Sequence, residues 1–161
     1  MFVRISQQVY FGLFSTEMPA AEMTAHLGIE PDNFTVRGSR NVSTPMPRYH
    51  IWKLGCERPG LSIEQQIEKT IERLLPCQSK IAVLAEQLSL EGSGSGGSLN
   101  VVRYFDDENG EEEDEASARL VDGKEFVKLS GQHQLLGWTL SVETMQFLTA
   151  VGANLNVDEY G

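Results

Sequence analysis

Short runs of β-prone residues alternate with longer amphipathic segments along the chain. The runs are rich in aromatic and β-branched residues and lie between glycine, proline and polar clusters, which predicts strands. These strands are 9–14, 34–37, 49–54, 99–105 and 135–139. Apolar residues at helical spacing, with capping residues before them, predict three helical segments. These segments are 19–27, 62–88 and 142–151.

The long segment 62–88 carries the clearest helix signals. Ser62 and Gln65 have the spacing of a capping box, in which each residue satisfies a backbone N–H of the other. Pro76 lies inside the segment and must interrupt it, because proline has no N–H to donate and clashes with the preceding turn. We therefore predict two consecutive helices with a break near Pro76.

The order of elements predicts an α+β fold with a mainly antiparallel sheet and helices packed on one face. A length of 161 residues suits a single domain, 1–161. Without gaps, Phe14–Gly28 aligns with Trp138–Gly152, each giving an aromatic residue, a turn, a helix and a closing glycine. This similarity favours two related halves that share one sheet, although recurrence of a common strand–helix unit explains it equally well.

Two segments interrupt this pattern. Residues 92–98 consist of glycine and serine and predict a flexible connector, too short to separate domains. Residues 106–133 form an acidic, poorly patterned insertion, in which 125–129 could be a short strand.

Charge is concentrated in one place. The net charge is −10, and eight of those charges lie in residues 106–115, which we call the acidic window. Its acidic members are Asp106, Asp107, Glu108, Glu111, Glu112, Glu113, Asp114 and Glu115. Like charges repel, so the window predicts a solvated, mobile loop or a docking surface for a basic protein partner. The negative balance disfavours nucleic acid and membrane as partners.

The sequence does not fit the cofactor-binding and metal-binding motifs that it partly resembles. Gly92, Gly94 and Gly97 match the dinucleotide-binding spacing, but that motif follows a strand and opens a helix, whereas these glycines follow a helix and precede a strand. An EF-hand loop with Gly110 at its sixth position would place Phe105 and Ala116 where carboxylates are required. Weak divalent binding to the carboxylates stays open, but we predict no cofactor and no dedicated metal site.

The sequence also lacks a catalytic signature. His26, His50 and His133 show no metal-ligand spacing, and Cys56 has no neighbouring residue that would activate it as a nucleophile. Cys56 and Cys77 predict reduced thiols. Together with the absence of an apolar run of about 18 residues, they predict a soluble cytoplasmic protein.

Two aromatic residues and a histidine form an alternative site. His50 and Trp52 share one face of a strand, and with Trp138 they could line a small-molecule cleft. Packing of Trp52 against the long helix explains the same residue without a ligand.

Several ordered motifs give the chain a family resemblance. These are Met23–Pro31, Arg37-Gly38, Trp52 and Leu148–Tyr160. In this order they resemble a bacterial family known as domain of unknown function 4279. The resemblance implies a shared fold and transfers no catalytic residues. Because charge is concentrated in the acidic window and no catalytic or cofactor motif is present, we expect a non-catalytic binding protein of the immunity or inhibitor type that docks a basic protein partner through that window. The alternative is a small-molecule binding module at His50, Trp52 and Trp138.

Overall fold

The computed structural model describes residues 4–39, 45–56, 58, 60–112, 119–126 and 137–161. The three predicted helical segments are present in this part of the chain, the long one divided by a single 3-10 turn at Leu75–Cys77 that contains Pro76. The helices are α1 (Ala20–Leu27), α2 (Ile63–Leu74), α3 (Gln78–Ser89) and α4 (Val142–Val151). In the same part of the chain, no helix has the length and apolar content needed to cross a bilayer.

The strands form one main sheet and a small hairpin. The strands are β1 (Arg4–Ser15), β2 (Asn33–Thr35), β3 (His50–Cys56), β4 (Gly96–Phe105), β5 (Glu111–Glu112), β6 (Arg119–Val121), β7 (Lys124–Phe126) and β8 (Asn154–Tyr160). The main sheet has the order β2-β3-β1-β4-β8, and β5 also pairs with β1. Every pairing is antiparallel except that of β4 with β8. The predicted α+β class with a mainly antiparallel sheet is confirmed.

Strand β1 lies at the centre of the sheet. It pairs with β4 along one edge from Ile5 to Phe14 and with β3 along the other from Val9 to Ser15. Ile5 also faces Glu111 of β5, so β5 lies on the same edge as β3. Between these two partners, residues 6–8 have no strand neighbour on that edge in the described part of the chain.

The helices cover one face of the sheet. Side chains of a strand point alternately to the two faces, and the buried residues Val9, Phe11 and Leu13 of β1 belong to one core cluster with residues of all four helices. The intervening Tyr10 and Phe14 are only half-buried on the opposite face. The predicted packing of helices on one face therefore holds.

The predicted strand 135–139 is wrong over the residues that the structure describes. Gly137, Trp138 and Thr139 belong to no strand, and 135–136 lie outside the described residues. The backbone N–H of Thr139 donates to the Glu64 carboxylate of α2 at 2.9 Å, so a side chain takes the place of a neighbouring strand. The strand that completes the sheet is β8, which follows α4 and was not predicted.

The connector predicted at 92–98 is also partly wrong. Gly96, Gly97 and Ser98 form the buried start of β4, where they pair with Phe14, Leu13 and Gly12 of β1. Small residues suit this position, because a Cβ on Gly97 would lie 3.2 Å from the Phe11 ring and 3.4 Å from the Ala85 side chain.

The acidic insertion contains regular structure as well. Strands β6 and β7 form a two-stranded hairpin whose turn is Asp122-Gly123. Both residues have a positive φ, at 52° and 75°. A two-residue hairpin turn of type I′ requires positive φ at both residues, and Asp-Gly is a preferred sequence for it. The strand expected at 125–129 overlaps β7 at its first two positions, and 127–129 lie outside the described residues.

The predicted internal similarity extends to the helices but not to the strands before them. Helices α1 and α4 both end at a left-handed glycine, Gly28 with φ 74° and Gly152 with φ 65°. Phe14 lies in β1, whereas Trp138 lies in no strand. The two segments are thus similar helix units in different contexts, and they do not define two equivalent halves of the sheet.

Gly55 provides a test of the central strand pairing. An added Cβ would lie 2.5 Å from the Val9 carbonyl oxygen and 2.8 Å from Tyr10 Cβ. We expect Gly55→Ala to lower the free energy of unfolding by about 1–3 kcal/mol, because overpacking forces β3 away from β1. Urea denaturation measures this loss. Gly137→Ala is the matched control and should stay within about 0.5 kcal/mol, since no described atom lies within 4 Å of its Cβ position. Equal stability of the two variants would contradict the assigned strand contact.

Candidate functional site

The described half of the acidic window forms a turn around the start of β1. The backbone N–H of Asp107 donates to the Arg4 carbonyl oxygen at 3.2 Å. The Arg4 guanidinium donates to the Glu108 carbonyl oxygen at 2.8 Å. A Cβ on Gly110 would lie 2.8 Å from Ile5 backbone atoms, so the turn passes directly over the strand. Backbone contacts therefore hold this part of the predicted loop against β1.

The side chains of the turn have different roles. Asp106 and Glu108 are exposed, and Asp107 is half-buried and accepts a hydrogen bond from the Asn109 N–H at 3.0 Å. The Glu111 carboxylate accepts a hydrogen bond from the Gly60 N–H at 2.6 Å, which joins β5 to the segment before α2. Part of the acidity is therefore structural, and Asp106 and Glu108 project their charges into solvent.

The other acidic residues add little to the described site. Glu112 pairs with Arg4 in the backbone register of β5. Glu113, Asp114 and Glu115 lie outside the described residues. In the described part of the chain, no three His, Cys, Asp or Glu side chains are grouped so that they could hold a metal ion.

The alternative cleft at His50, Trp52 and Trp138 is not formed. Trp52 has 0% of its surface exposed, and its indole N–H donates to the Thr24 hydroxyl at 3.2 Å. His50 Nδ1 accepts a hydrogen bond from the Arg37 N–H at 3.1 Å, and Trp138 packs against the core. Because Trp52 is a core residue, the sequence-based alternative is wrong in its location.

A cavity of about 590 Å³ lies instead at the end of β3 that is remote from His50. Asp32 and Arg73 hold its edge together. The Arg73 guanidinium donates to both Asp32 carboxylate oxygens, at 2.6 and 2.7 Å, and to the Gly55 carbonyl oxygen at 2.9 Å. Asp32 also accepts a hydrogen bond from the Gly55 N–H at 2.9 Å. The pair thus ties α2 to the unpaired edge of β3.

Hydrogen bonding with Arg73 holds the pKa of Asp32 below its ordinary value of 3.8. The same hydrogen bond raises the pKa of Arg73. Both groups are therefore charged over the physiological range, and each neutralises the other.

Basic residues predominate among the charged side chains that line this cavity, which we call the basic cleft. Four basic and two acidic side chains line it, giving a formal charge of +2. They are Lys53, Arg58, Lys69, Arg73, Asp32 and Glu72. The Lys53 ammonium lies 4.8 Å from the centre of the Tyr10 ring, on the face of the sheet opposite the helices. Cys56, a free thiol, is half-buried in the same lining.

Sequence reasoning missed the basic cleft. Its cations come from β3, from the segment after β3 and from α2, so no local run of basic residues marks them. The one usable signal is the spacing of Lys69 and Arg73, four residues apart, which places both on the same side of a helix.

Fold and site together define a single α+β domain with an acidic turn at the start of its central strand and a basic cleft beside the middle of that strand. Residues 4–161 match the family described as Domain of unknown function (DUF4279). The chain belongs to this family, which confirms the resemblance seen in its sequence. No curated protein matches the chain. No solved structure matches it either.

The two kinds of carboxylate in the acidic turn should respond differently to mutation. We expect Glu111→Ala to lower the free energy of unfolding by about 1–2 kcal/mol, because the Gly60 N–H loses a charged acceptor. Glu108→Ala should change it by less than about 0.5 kcal/mol, since Arg4 contacts the Glu108 backbone and not its side chain. Chemical denaturation of both variants measures the difference. A loss for Glu108→Ala as large as for Glu111→Ala would contradict this division.

The Asp32–Arg73 pair should make stability depend on pH. The pKa of Asp32 is lower in the folded chain than in the unfolded chain, so its contribution is fully present above about pH 3.8 and is lost as the pH falls through the folded value. Asp32→Asn should therefore lower the free energy of unfolding at neutral pH, by about 1 kcal/mol or less because the pair is half-exposed. The difference in the free energy of unfolding between Asp32→Asn and wild type should disappear in acid.

Urea denaturation of both proteins over a series of pH values measures this difference in stability. Glu30→Gln, which removes an exposed carboxylate from the same loop, serves as the control and should show no such trend. A gap between Asp32→Asn and wild type that persists unchanged in acid would show that the lost stability is not due to the carboxylate charge.

Proposed function

We propose that this protein acts by binding and not by catalysis, as an immunity- or inhibitor-type protein that docks a cationic protein partner. The observation that carries the proposal is the acidic turn, in which backbone contacts to Arg4 hold the chain while Asp106 and Glu108 remain exposed. A fixed set of like charges steers an oppositely charged partner during diffusion and raises the association rate more than the final affinity.

Two further features support a binding role. No histidine is among the described residues that line the basic cleft beside Cys56. The chain outside the acidic window carries a charge of about −2, so most of the negative charge belongs to one short segment of the chain. In this proposal the protein acts in the cytoplasm, where its two free cysteines stay reduced.

The association rate with the partner is the decisive measurement. The immobilised chain and its Asp106→Asn/Glu108→Gln double variant are each incubated with an extract of the native host. Mass spectrometry identifies the proteins that bind to the wild-type chain and not to the double variant. Association is then followed by surface plasmon resonance at low and at high salt. We expect the wild-type rate to fall about tenfold or more as salt screens the turn. The double variant should associate more slowly and respond less to salt.

A matched control separates the acidic turn from overall charge. Glu22→Gln/Glu86→Gln removes the same number of charges from exposed positions on α1 and α3 and should keep the wild-type rate. A partner whose association ignores both salt and the turn variant would refute the proposed docking surface. An equal effect of the control pair would refute it as well.

A further inference from the structure

The basic cleft is a local exception in an acidic protein. The whole chain carries a charge of −10, yet this cavity has a formal charge of +2. Its volume of about 590 Å³ lies within the range of small-molecule sites, roughly 300–1,000 Å³. The cavity therefore has both the size and the charge of a site for a small anionic molecule.

Three of the four cations in the cleft have no ion pair within the described part of the chain. Arg73 is paired with Asp32 at 2.6 Å. Lys53, Arg58 and Lys69 form no ion pair with any residue that the structure describes. Glu72 is the one further carboxylate among the residues that line the cavity with these three cations. The cations repel each other, and an anion bound in the cavity would relieve that repulsion.

Lys53 is the most constrained of the three. It is half-buried in the middle of β3, beside the Tyr10 ring. Burial lowers the pKa of its ammonium group, because removal from water disfavours the charged form. A bound anion would replace the lost hydration, so the position of Lys53 is the one that gains most from a ligand.

We propose that the basic cleft binds a small organic oxyanion, a molecule bearing a phosphate or carboxylate group held by Lys53, Arg58 and Lys69. Arg73 is a positioning residue in this site, since Asp32 and the Gly55 carbonyl oxygen occupy its donors and fix the edge of the cavity. The cavity is larger than one inorganic anion, and uncharged side chains such as Gln8 and Tyr10 also line it, which leaves room for an organic moiety. This site is separate from the acidic turn and does not depend on its proposed role.

Isothermal titration calorimetry with three defined probes tests the site. Inorganic phosphate, pyrophosphate and citrate are titrated at millimolar concentrations and constant ionic strength, where screening over about 8 Å suppresses the distant acidic charges. We expect at least one probe to bind the wild-type chain and to raise its melting temperature. Binding of the phosphates without citrate assigns phosphate chemistry, and binding of citrate alone assigns carboxylate chemistry.

Charge-removing variants locate the binding. Lys53→Gln, Arg58→Gln and Lys69→Gln should each weaken binding by about tenfold, the usual effect of losing one charge-assisted hydrogen bond. Lys80→Gln removes the same charge from an exposed position on α3 that does not line the cleft and should bind like wild type. Arg58 lies outside any helix or strand and is exposed, so its variant remains informative if Lys53→Gln fails to fold. Absence of binding by all three probes, or equal weakening by Lys80→Gln, would overturn the proposal.

Discussion

The fold depends on the pairing of β1, which runs through the middle of the sheet and must satisfy its backbone groups on both edges. Strand β4 does this along almost the whole of one edge, whereas the other edge is shared by β3 and the short β5. The two partners leave a gap at residues 6–8. Near this gap the Gln7 side-chain amide donates to the Leu61 carbonyl oxygen at 3.0 Å, so a side chain connects β1 to the segment before α2.

The acidic turn and the basic cleft both lie around this gap. The chain leaving β4 must cross the start of β1 to reach its other edge, and the acidic turn is that crossing. On the far side of the gap, β3 extends beyond the end of β2, and the exposed edge there is closed by Asp32 and Arg73. The acidic turn and the basic cleft thus lie on the two sides of one gap beside β1, and the pairing of β1 with β5 and with β3 fixes their positions.

Local signals in the sequence predicted the helices well. Ser62 and Gln65 form both hydrogen bonds of the predicted capping box, and Pro76 interrupts the long segment where expected. Strand β8 was missed because all of its residues are exposed, so burial imposes no strong pattern on its sequence. It forms by pairing with β4. At 137–139 the predicted strand is absent, and the Thr139 N–H donates instead to Glu64 of α2. A contact between residues so far apart in sequence has no local signal. The basic cleft was missed for the same reason, since Lys53 and Lys69 meet only through the fold.

The position of β1 also has consequences during synthesis of the chain. Its partners β3, β4 and β5 all follow it, and β8 can pair in parallel with β4 only after a crossover through α4. The apolar face of β1, with Val9, Phe11 and Leu13, therefore leaves the ribosome well before β4 exists to flank it. Over that interval β1 has an unpaired edge, a state prone to association with other chains. Helices α1, α2 and α3, which precede β4 in the chain, are the elements available to cover the apolar face of β1 until β4 arrives.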